Sequence, residues 1–346
     1  MSAGGTHFPL RETVKRGALR GRALVARLRR EPDLLLVEGD TYAATAVALA
    51  DAYRSVRAGG RIAVLNASDG SDARCAVDGF RFEHGVLPVR ETTAGTVEID
   101  VPTPKDPATH FARALREKWR EVPVSRSVRA FSEDLARLED VELLNRWEQH
   151  RRETSSPDVR GWYQTKYRDE LRGKRVLDFG CGFGVDGIFF AENGADVSFA
   201  DIVGSNLEIL GRVAKTRGLS IQTHFIEDFF DYSFEEPFDV ILAIGSLINA
   251  PLTFTQRQLD SLLRWHSPGG TFLLLGYPRE RFEELGVRNG HEFGMLTDGE
   301  RTPWCEWLDR ERVEQLFGSQ YEIVFERNFG VGGTEFNWFE LHRCAE

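Results

Sequence analysis

The chain has 346 residues, a formal net charge of −10 at pH 7, and 41% hydrophobic and 28% charged residues. This length can form a sizeable core in one or two domains. The negative charge argues against a general nucleic-acid binder, which would need a basic face. No apolar run approaches the roughly 18 residues of a membrane span, and the N-terminus lacks the apolar core of a signal peptide. The cysteines are scattered without metal-ligand spacing. We therefore expect a cytoplasmic protein that binds neither nucleic acid nor membranes.

The first hundred residues predict a basic helix followed by a small α/β region. Residues 11–30 are rich in Lys and Arg with spaced apolar positions, which is typical of an amphipathic helix. This helix could contact an anionic partner, but packing on its own domain is the simpler interpretation. A strand, a helix and a second strand follow at 34–38, 41–57 and 61–66. Residues 72–84 predict a helix, and 87–91 with 96–101 predict an antiparallel hairpin.

The sequence of this first region is similar to a known family. Val37-Glu38-Gly39-Asp40 and the later Glu83-His84-Gly85 resemble the carboxyl half of the macrocin-type sugar O-methyltransferases, which are metal-dependent. The magnesium-binding carboxylates of that family are replaced here by Glu38 and by Asn66-Ala67, a poor set for a hard cation. We expect residues 1–105 to be a truncated, non-catalytic methyltransferase-like half-domain without metal. It would mediate a homodimer or shape the acceptor pocket.

Residues 106–160 are predicted to form a helical linker, with helices over 107–122 and 130–152. A truncated sheet leaves an edge and an apolar face that must be covered. These helices or a second subunit could cover them.

The segment from Lys174 to Ile202 dominates the second half of the chain. It predicts a strand at 175–179, a Gly-Cys-Gly-Phe-Gly loop at 180–184, a helix to about residue 193 and a second strand that ends on Asp201. Alternate glycines let a backbone turn tightly and approach a ligand. A carboxylate at the next strand tip can accept the hydroxyls of a ribose. This combination indicates a cofactor that contains a nucleoside.

The spacing of the glycines distinguishes between cofactors. Position 185, where a dinucleotide fingerprint would have its third glycine, is Val185, and an acid, Asp178, precedes the loop. Residues 161–343 therefore resemble the class I S-adenosylmethionine (SAM) methyltransferases, whose first motif is [D/E]-x-G-x-G-x-G. The resemblance implies a Rossmann-like, doubly wound α/β sheet with a final antiparallel hairpin, and SAM as cofactor. The glycine spacing and the hairpin disfavour a nicotinamide oxidoreductase.

The resemblance also implies which residues bind SAM. Asp201 and Ile202 would contact the ribose and its surroundings, the third strand end would face the adenine, and the main chain after the fourth strand would meet the methionine part. Tyr163, in the segment before the first strand, is a further candidate, although an aromatic residue there is equally typical of a core. The predicted cofactor-binding set is Tyr163, Asp178, Gly180, Gly182, Gly184, Asp201, Ile202, Glu227, Asp228, Phe229, Ile244 and Gly245.

The predicted acceptor site lies under residues 278–317, a long insertion before the final hairpin. His291 and Glu306 are the candidates there for a general base, which an O-acceptor usually needs. Trp304 and Trp307 could stack on a ring or hold the insertion in place. We predict a SAM-dependent methyltransferase that modifies a hydroxyl or amine of a small molecule, a sugar-containing or other natural product. A non-catalytic SAM-binding partner of a biosynthetic enzyme is the alternative.

Overall fold

The structure is a computed structural model that describes residues 34–93, 95–102, 107–124 and 128–344. The predicted basic helix at 11–30 lies outside the described residues. The chain divides into two compact units, Met1–Val77 with Val89–Val101, and Asp78–Pro88 with Pro102–Glu346.

The described part of the first unit is built on a four-stranded sheet in the order β1-β2-β4-β3, in which β1 and β2 are parallel and the other pairs antiparallel. In β1, Leu35 and Val37 are buried and alternate with exposed residues, as expected for a strand packed on one side. In the inner strand β2, residues 62–64 are all buried. The strands and helices predicted for 34–101 are confirmed, with shifts of a few residues at their ends. They are β1 (Leu34–Val37), α1 (Tyr42–Ser55), β2 (Arg61–Val64), α2 (Asp72–Glu83), β3 (Val89–Thr93) and β4 (Thr96–Asp100).

Residues 107–160 belong to the second unit rather than forming a separate linker. Phe111 and Leu115 pack with Phe229 and Phe254, and Trp147 is fully buried, so these helices complete the core of the larger unit. The single helix predicted at 130–152 is interrupted. The elements here are α3 (Pro107–Trp119), β5 (Glu121–Pro123), β6 (Arg129–Phe131), α4 (Ser132–Ala136), α5 (Asp140–Thr154) and α6 (Gly161–Tyr167).

A seven-stranded sheet forms the centre of the second unit, in the order β12-β13-β11-β10-β7-β8-β9. Its strands are β7 (Arg175–Phe179), β8 (Asp196–Asp201), β9 (Gln222–Phe225), β10 (Phe238–Ile244), β11 (His266–Gly276), β12 (Tyr321–Phe329) and β13 (Phe336–Arg343). β7 to β11 are mutually parallel, whereas β13 runs antiparallel to both of its neighbours. The predicted doubly wound sheet with an antiparallel last hairpin is confirmed.

Both faces of this sheet are covered. Along β10, Val240 and Leu242 join one apolar cluster, while Ile241 and Ala243 join another on the opposite face, which is why parallel strands are apolar at successive positions. The helices that follow α6 are α7 (Val185–Glu192), α8 (Gly204–Thr216), α9 (Leu252–Leu262), α10 (Arg279–Glu284), α11 (Gly290–Asp298) and α12 (Arg310–Phe317). Over the described ranges, no helix combines the length and apolarity that crossing a bilayer requires.

Candidate functional site

A glycine loop joins β7 to α7. Gly180, Gly182 and Gly184 have φ angles of +70°, +52° and +66°, in the left-handed region that glycine enters without strain. A Cβ added to Gly180 would lie 2.4 Å from Cβ of Ser246, and one on Gly184 would lie 2.3 Å from Cδ1 of Leu210. A Cβ on Gly182 would meet nothing within 4 Å. The outer glycines therefore let the loop pack closely, and the middle one leaves open space beside the backbone.

The carboxylate of Asp201, at the end of β8, holds this loop. Its Oδ2 accepts from the N–H of Gly182 at 2.8 Å, and its Oδ1 accepts from the N–H of Val203 at 2.8 Å and from Nδ2 of Asn206 at 3.4 Å. Burial raises the pKa of Asp201 to about 6, and these hydrogen bonds oppose that rise. A carboxylate has about four acceptor positions, so a bound ribose would find about one of them free. Asp201 therefore supports the loop and retains about one acceptor position for a ligand.

Two further buried carboxylates lie beside the loop. Asp186 accepts hydrogen bonds from the guanidinium of Arg160 and, at 3.1 Å, from the hydroxyl of Tyr163. Burial, and then the charge of Asp186, raises the pKa of Asp178 to about 8. Asp178 is therefore largely protonated near neutral pH. Asp186 forms an ion pair with Arg160.

Helix α5, which precedes the glycine loop in sequence, packs against it. Nε1 of Trp147 donates to the carbonyl oxygen of Phe183 at 2.7 Å. One turn later His150 is 3% exposed, and its Nδ1 has no hydrogen-bond partner in the described part of the chain. Burial lowers the pKa of His150 to about 4, so this imidazole is neutral at physiological pH.

These elements enclose a cavity of about 460 Å³. Four of its lining residues carry a buried polar atom that lacks a partner within the described residues; the atoms are Nδ1 of His150, Oδ1 of Asn206, Oγ of Ser246 and Nδ2 of Asn249. Each buried, unsatisfied polar group costs about 1–3 kcal/mol. Such a set in one cavity indicates a polar ligand that supplies the missing partners.

Most of the cofactor-binding residues predicted from the sequence line this cavity. They are Asp178, Gly180, Gly182, Gly184, Asp201, Ile202, Phe229, Ile244 and Gly245. Tyr163 does not: it is fully buried and bonded to Asp186. Glu227 and Asp228 are exposed and line a separate surface groove. The carboxylate of Asp228 accepts the N–H of Phe230 at 2.8 Å, and neither acid is among the residues that line the cavity.

The two predicted catalytic residues, His291 and Glu306, are not among the residues that line the cavity. The ring of His291 stacks on Phe82 with centroids 3.7 Å apart, and its Nδ1 lies 3.1 Å from the carbonyl oxygen of Pro303. The carboxylate of Glu306 accepts from Nε1 of Trp304 at 2.8 Å and from Arg312 at 2.6 Å. This placement corrects the prediction, because both side chains are engaged in packing the insertion.

The far end of the cavity carries charged residues that the sequence did not indicate. Tyr277 directly follows β11, and its hydroxyl donates to Oδ1 of Asp298 at 3.1 Å. A guanidinium nitrogen of Arg129 lies 3.7 Å from the same oxygen, and the guanidinium carbon of Arg281 lies 4.6 Å from the Tyr277 ring centroid. Burial raises the pKa of Tyr277, so its hydroxyl remains a donor. Only Tyr277 had a sequence signal, since ligands lie beyond the carboxyl ends of parallel strands.

The strand order, the antiparallel last strand and the glycine loop with an acid on each neighbouring strand define a class I methyltransferase. Residues 176–270 match the model of a family described as a methyltransferase domain. The ubiquinone biosynthesis O-methyltransferase of Actinobacillus pleuropneumoniae serotype 5b (strain L20) is 30% identical over 173 residues, which are 45% of this chain and 74% of that protein. The chain belongs to the class I SAM-dependent methyltransferase family, and SAM is its cofactor.

Other relatives are more distant or are matched over a smaller part of their length. The ribosomal protein L11 methyltransferase of Pseudomonas aeruginosa (strain LESB58) is 30% identical over 146 residues, covering 42% of this chain and 48% of that protein. The solved magnesium protoporphyrin IX methyltransferase of Synechocystis PCC 6803 has a TM-score of 0.45 and 16% identity, with 68% of this chain and 97% of that chain covered. The N-methyltransferase NodS of Bradyrhizobium japonicum WM9 has a TM-score of 0.43 and 14% identity, with 61% and 96% covered.

The cavity fits SAM. The open space at Gly182 lets the cofactor approach the backbone, and the unsatisfied atoms of Asn206 and Ser246 offer it polar partners. Asp201, whose pKa of about 6 leaves it mostly ionised at neutral pH, suits a ligand that carries a sulfonium and an ammonium group.

Proposed function

We propose that this methyltransferase modifies a hydroxyl or amine of a small polar molecule, a sugar-containing or other natural product, as a tailoring enzyme. The observation that supports this is the extent of the cavity. From the glycine loop it passes Gly245 and Asn249 and reaches Tyr277 and Asp298, so it offers polar groups on a side where the predicted cofactor residues are absent. A pocket of this kind suits a small acceptor.

The chemistry asks little of the protein beyond alignment and desolvation. SAM, when bound along the glycine loop, supplies an already activated methyl group, and holding an acceptor in line can contribute about 7–11 kcal/mol. A hydroxyl acceptor must also lose its proton, whereas a neutral amine attacks through its lone pair. The residues of this chain therefore need to exclude water, orient the acceptor and accept one proton.

We assign the proton-accepting role to Asp298. Its side chain lines the cavity and is 8% exposed. Tyr277 donates to Oδ1 at 3.1 Å, Thr297 donates to Oδ2 at a longer 3.3 Å, and the thiol of Cys305 also contacts this carboxylate. Since a carboxylate has about four acceptor positions, Asp298 retains capacity for an acceptor hydroxyl. Asp298 replaces His291 and Glu306 as the candidate base, because it lies at the cavity and they do not.

The proposal can be tested by measuring S-adenosylhomocysteine (SAH) release with matched sugar, amino-sugar and phenol acceptors. Asp298→Asn should bind SAH as the wild type does but methylate hydroxyl acceptors at least a hundredfold more slowly, as expected for a lost general base. Glu300→Gln, an exposed change in the same insertion, serves as the control. Full hydroxyl methylation by Asp298→Asn would contradict the assignment. SAM binding without turnover of any acceptor class would instead favour a non-catalytic SAM-binding partner.

A further inference from the structure

Arg281, in α10, lines the far end of the cavity. Its guanidinium lies over the ring of Tyr277, with 4.6 Å between the guanidinium carbon and the ring centroid, and 5.9 Å from that of Phe336. One of its nitrogens donates to the main-chain carbonyl of Glu335 at 2.9 Å. Because a guanidinium has five N–H donors, most of its donating capacity remains after this single bond. The stacking also fixes the orientation of the guanidinium plane.

Two carboxylates near this end have partners of opposite charge. The carboxylate of Asp298 lies 3.7 Å from Arg129, and that of Glu121 pairs with Lys118 at 2.9 Å and with Arg301.

Arg281 differs from these groups. Across the residues that the structure describes, no carboxylate lies within ion-pair distance of its guanidinium. A cation that lines a cavity and has no ion-pair partner in the described part of the chain is suited to a ligand that brings the opposite charge.

We propose that the acceptor carries a carboxylate or phosphate group and that Arg281 binds it; this inference rests on the proposed function. A guanidinium presents parallel N–H donors that match the oxygens of either anion. Tyr277 lies between the residue that binds the anion and the residue that accepts the proton, since its ring contacts Arg281 and its hydroxyl contacts Asp298. The anionic group anchors the acceptor, and the hydroxyl or amine to be methylated is presented to Asp298. An acceptor whose only charged group is a cation is disfavoured at this anchor.

Binding of four benzyl-type probes tests this assignment without knowledge of the true acceptor. Benzoate, benzyl phosphate, benzyl alcohol and benzylamine share an aromatic ring and differ in their head group. Their dissociation constants are measured by ligand-observed NMR on the full chain saturated with SAH. We expect both anions to bind at least tenfold more tightly than the alcohol and the amine.

Variants of Arg281 test whether this residue causes the preference for anionic probes. Arg281→Gln should weaken anion binding at least tenfold and leave alcohol binding unchanged, while Arg281→Lys should retain part of the anion preference. Arg279→Gln, two residues earlier in α10 and paired with Glu283 at 2.8 Å outside the cavity, should change nothing. Arg281→Met removes the same charge with a side chain of similar length if Arg281→Gln unfolds, and a loss of anion preference in that variant supports the same assignment.

The outcomes separate this inference from the proposed function. Equal binding of benzoate and benzyl alcohol, preference for benzylamine, absence of anion binding, or an anion preference unaffected by removing the charge would overturn the role of Arg281. Calorimetric titration of the same samples with SAH reports on the cofactor site independently. SAH binding without anion preference would refute only this inference, whereas failure to bind SAH would refute the proposed function.

Discussion

Replacement of Asp178 by asparagine tests the electrostatics of the glycine loop directly. Asp178 is 4% exposed and lies at a position where burial and a neighbouring carboxylate raise its pKa from an ordinary 3.8 to about 8. Asparagine has nearly the same shape, stays neutral at all pH values and can still accept the N–H of Gly187, which lies 3.2 Å from Oδ2 of Asp178. The substitution therefore removes the titration and little else.

The sign of the effect follows from proton binding. Between about pH 4 and pH 8 the folded protein retains a proton on Asp178 that the unfolded chain has released, so this group lowers the free energy of unfolding as the pH rises through that window. With a folded-state pKa of about 8, the loss between about pH 6.5 and pH 8.5 amounts to about 2 kcal/mol at 1.36 kcal/mol per pKa unit. The Asp178→Asn variant lacks this loss, and its stability relative to the wild type should rise by about that amount over the same interval.

Denaturant unfolding of the ligand-free protein, monitored by tryptophan fluorescence, measures this difference. All seven tryptophans of the chain lie beyond residue 101, so the signal reports on the second unit and not on the first. Asp196→Asn, at the exposed start of β8, controls for the loss of a carboxylate. If wild type and Asp178→Asn show the same dependence on pH to within about 0.5 kcal/mol, Asp178 does not hold a proton in the fold and the reasoning fails.

Four further substitutions test other parts of the site. Asp201→Ala should weaken SAM binding at least tenfold in calorimetry, because the loop loses its support and the ribose loses a hydrogen bond of about 1 kcal/mol or more; unchanged affinity would count against both roles. Trp147→Phe removes the 2.7 Å bond to the loop and should lower the free energy of unfolding by about 1–3 kcal/mol, and an unaltered denaturation midpoint would be inconsistent with that contribution. Gly184→Ala places a Cβ 2.3 Å from Leu210 and should mainly lower the melting temperature, whereas Gly182→Ala should mainly lower SAH affinity. If Gly184→Ala reduced SAH affinity more than Gly182→Ala did, the open space at Gly182 would not face the ligand.

The sequence determined the sheet of the second unit and the cofactor end of its cavity. The strands, the glycine loop and Asp201 follow one another within about thirty residues, and local rules of strand, turn and helix apply over such distances. The carboxyl ends of parallel strands meet at one edge, so Ile244 and Gly245 could also be placed there from their strand ends. The same local rules were enough to predict the small sheet at 34–101.

Only the tertiary structure decided which other residues reach the cavity. His291 and Glu306 lie in the insertion at the predicted positions along the chain, but Phe82 and Arg312 contact their side chains and hold them in the surrounding packing. Asp298 lies in the same insertion and lines the cavity instead. Periodicity identifies the apolar face of a helix, yet it does not tell which polar side chain a distant segment will meet, because that depends on contacts between residues far apart in sequence.

The same limit applies to the segment before the glycine loop. Residues 107–160 carry few local signals beyond helical periodicity, and the sequence alone therefore predicts a linker there. In the fold, α5 brings His150 to the cavity and α3 packs against Phe229 and Phe254. The free energy that places these helices comes from burying their apolar faces on a surface built by later residues, and that surface exists only once the sheet has formed.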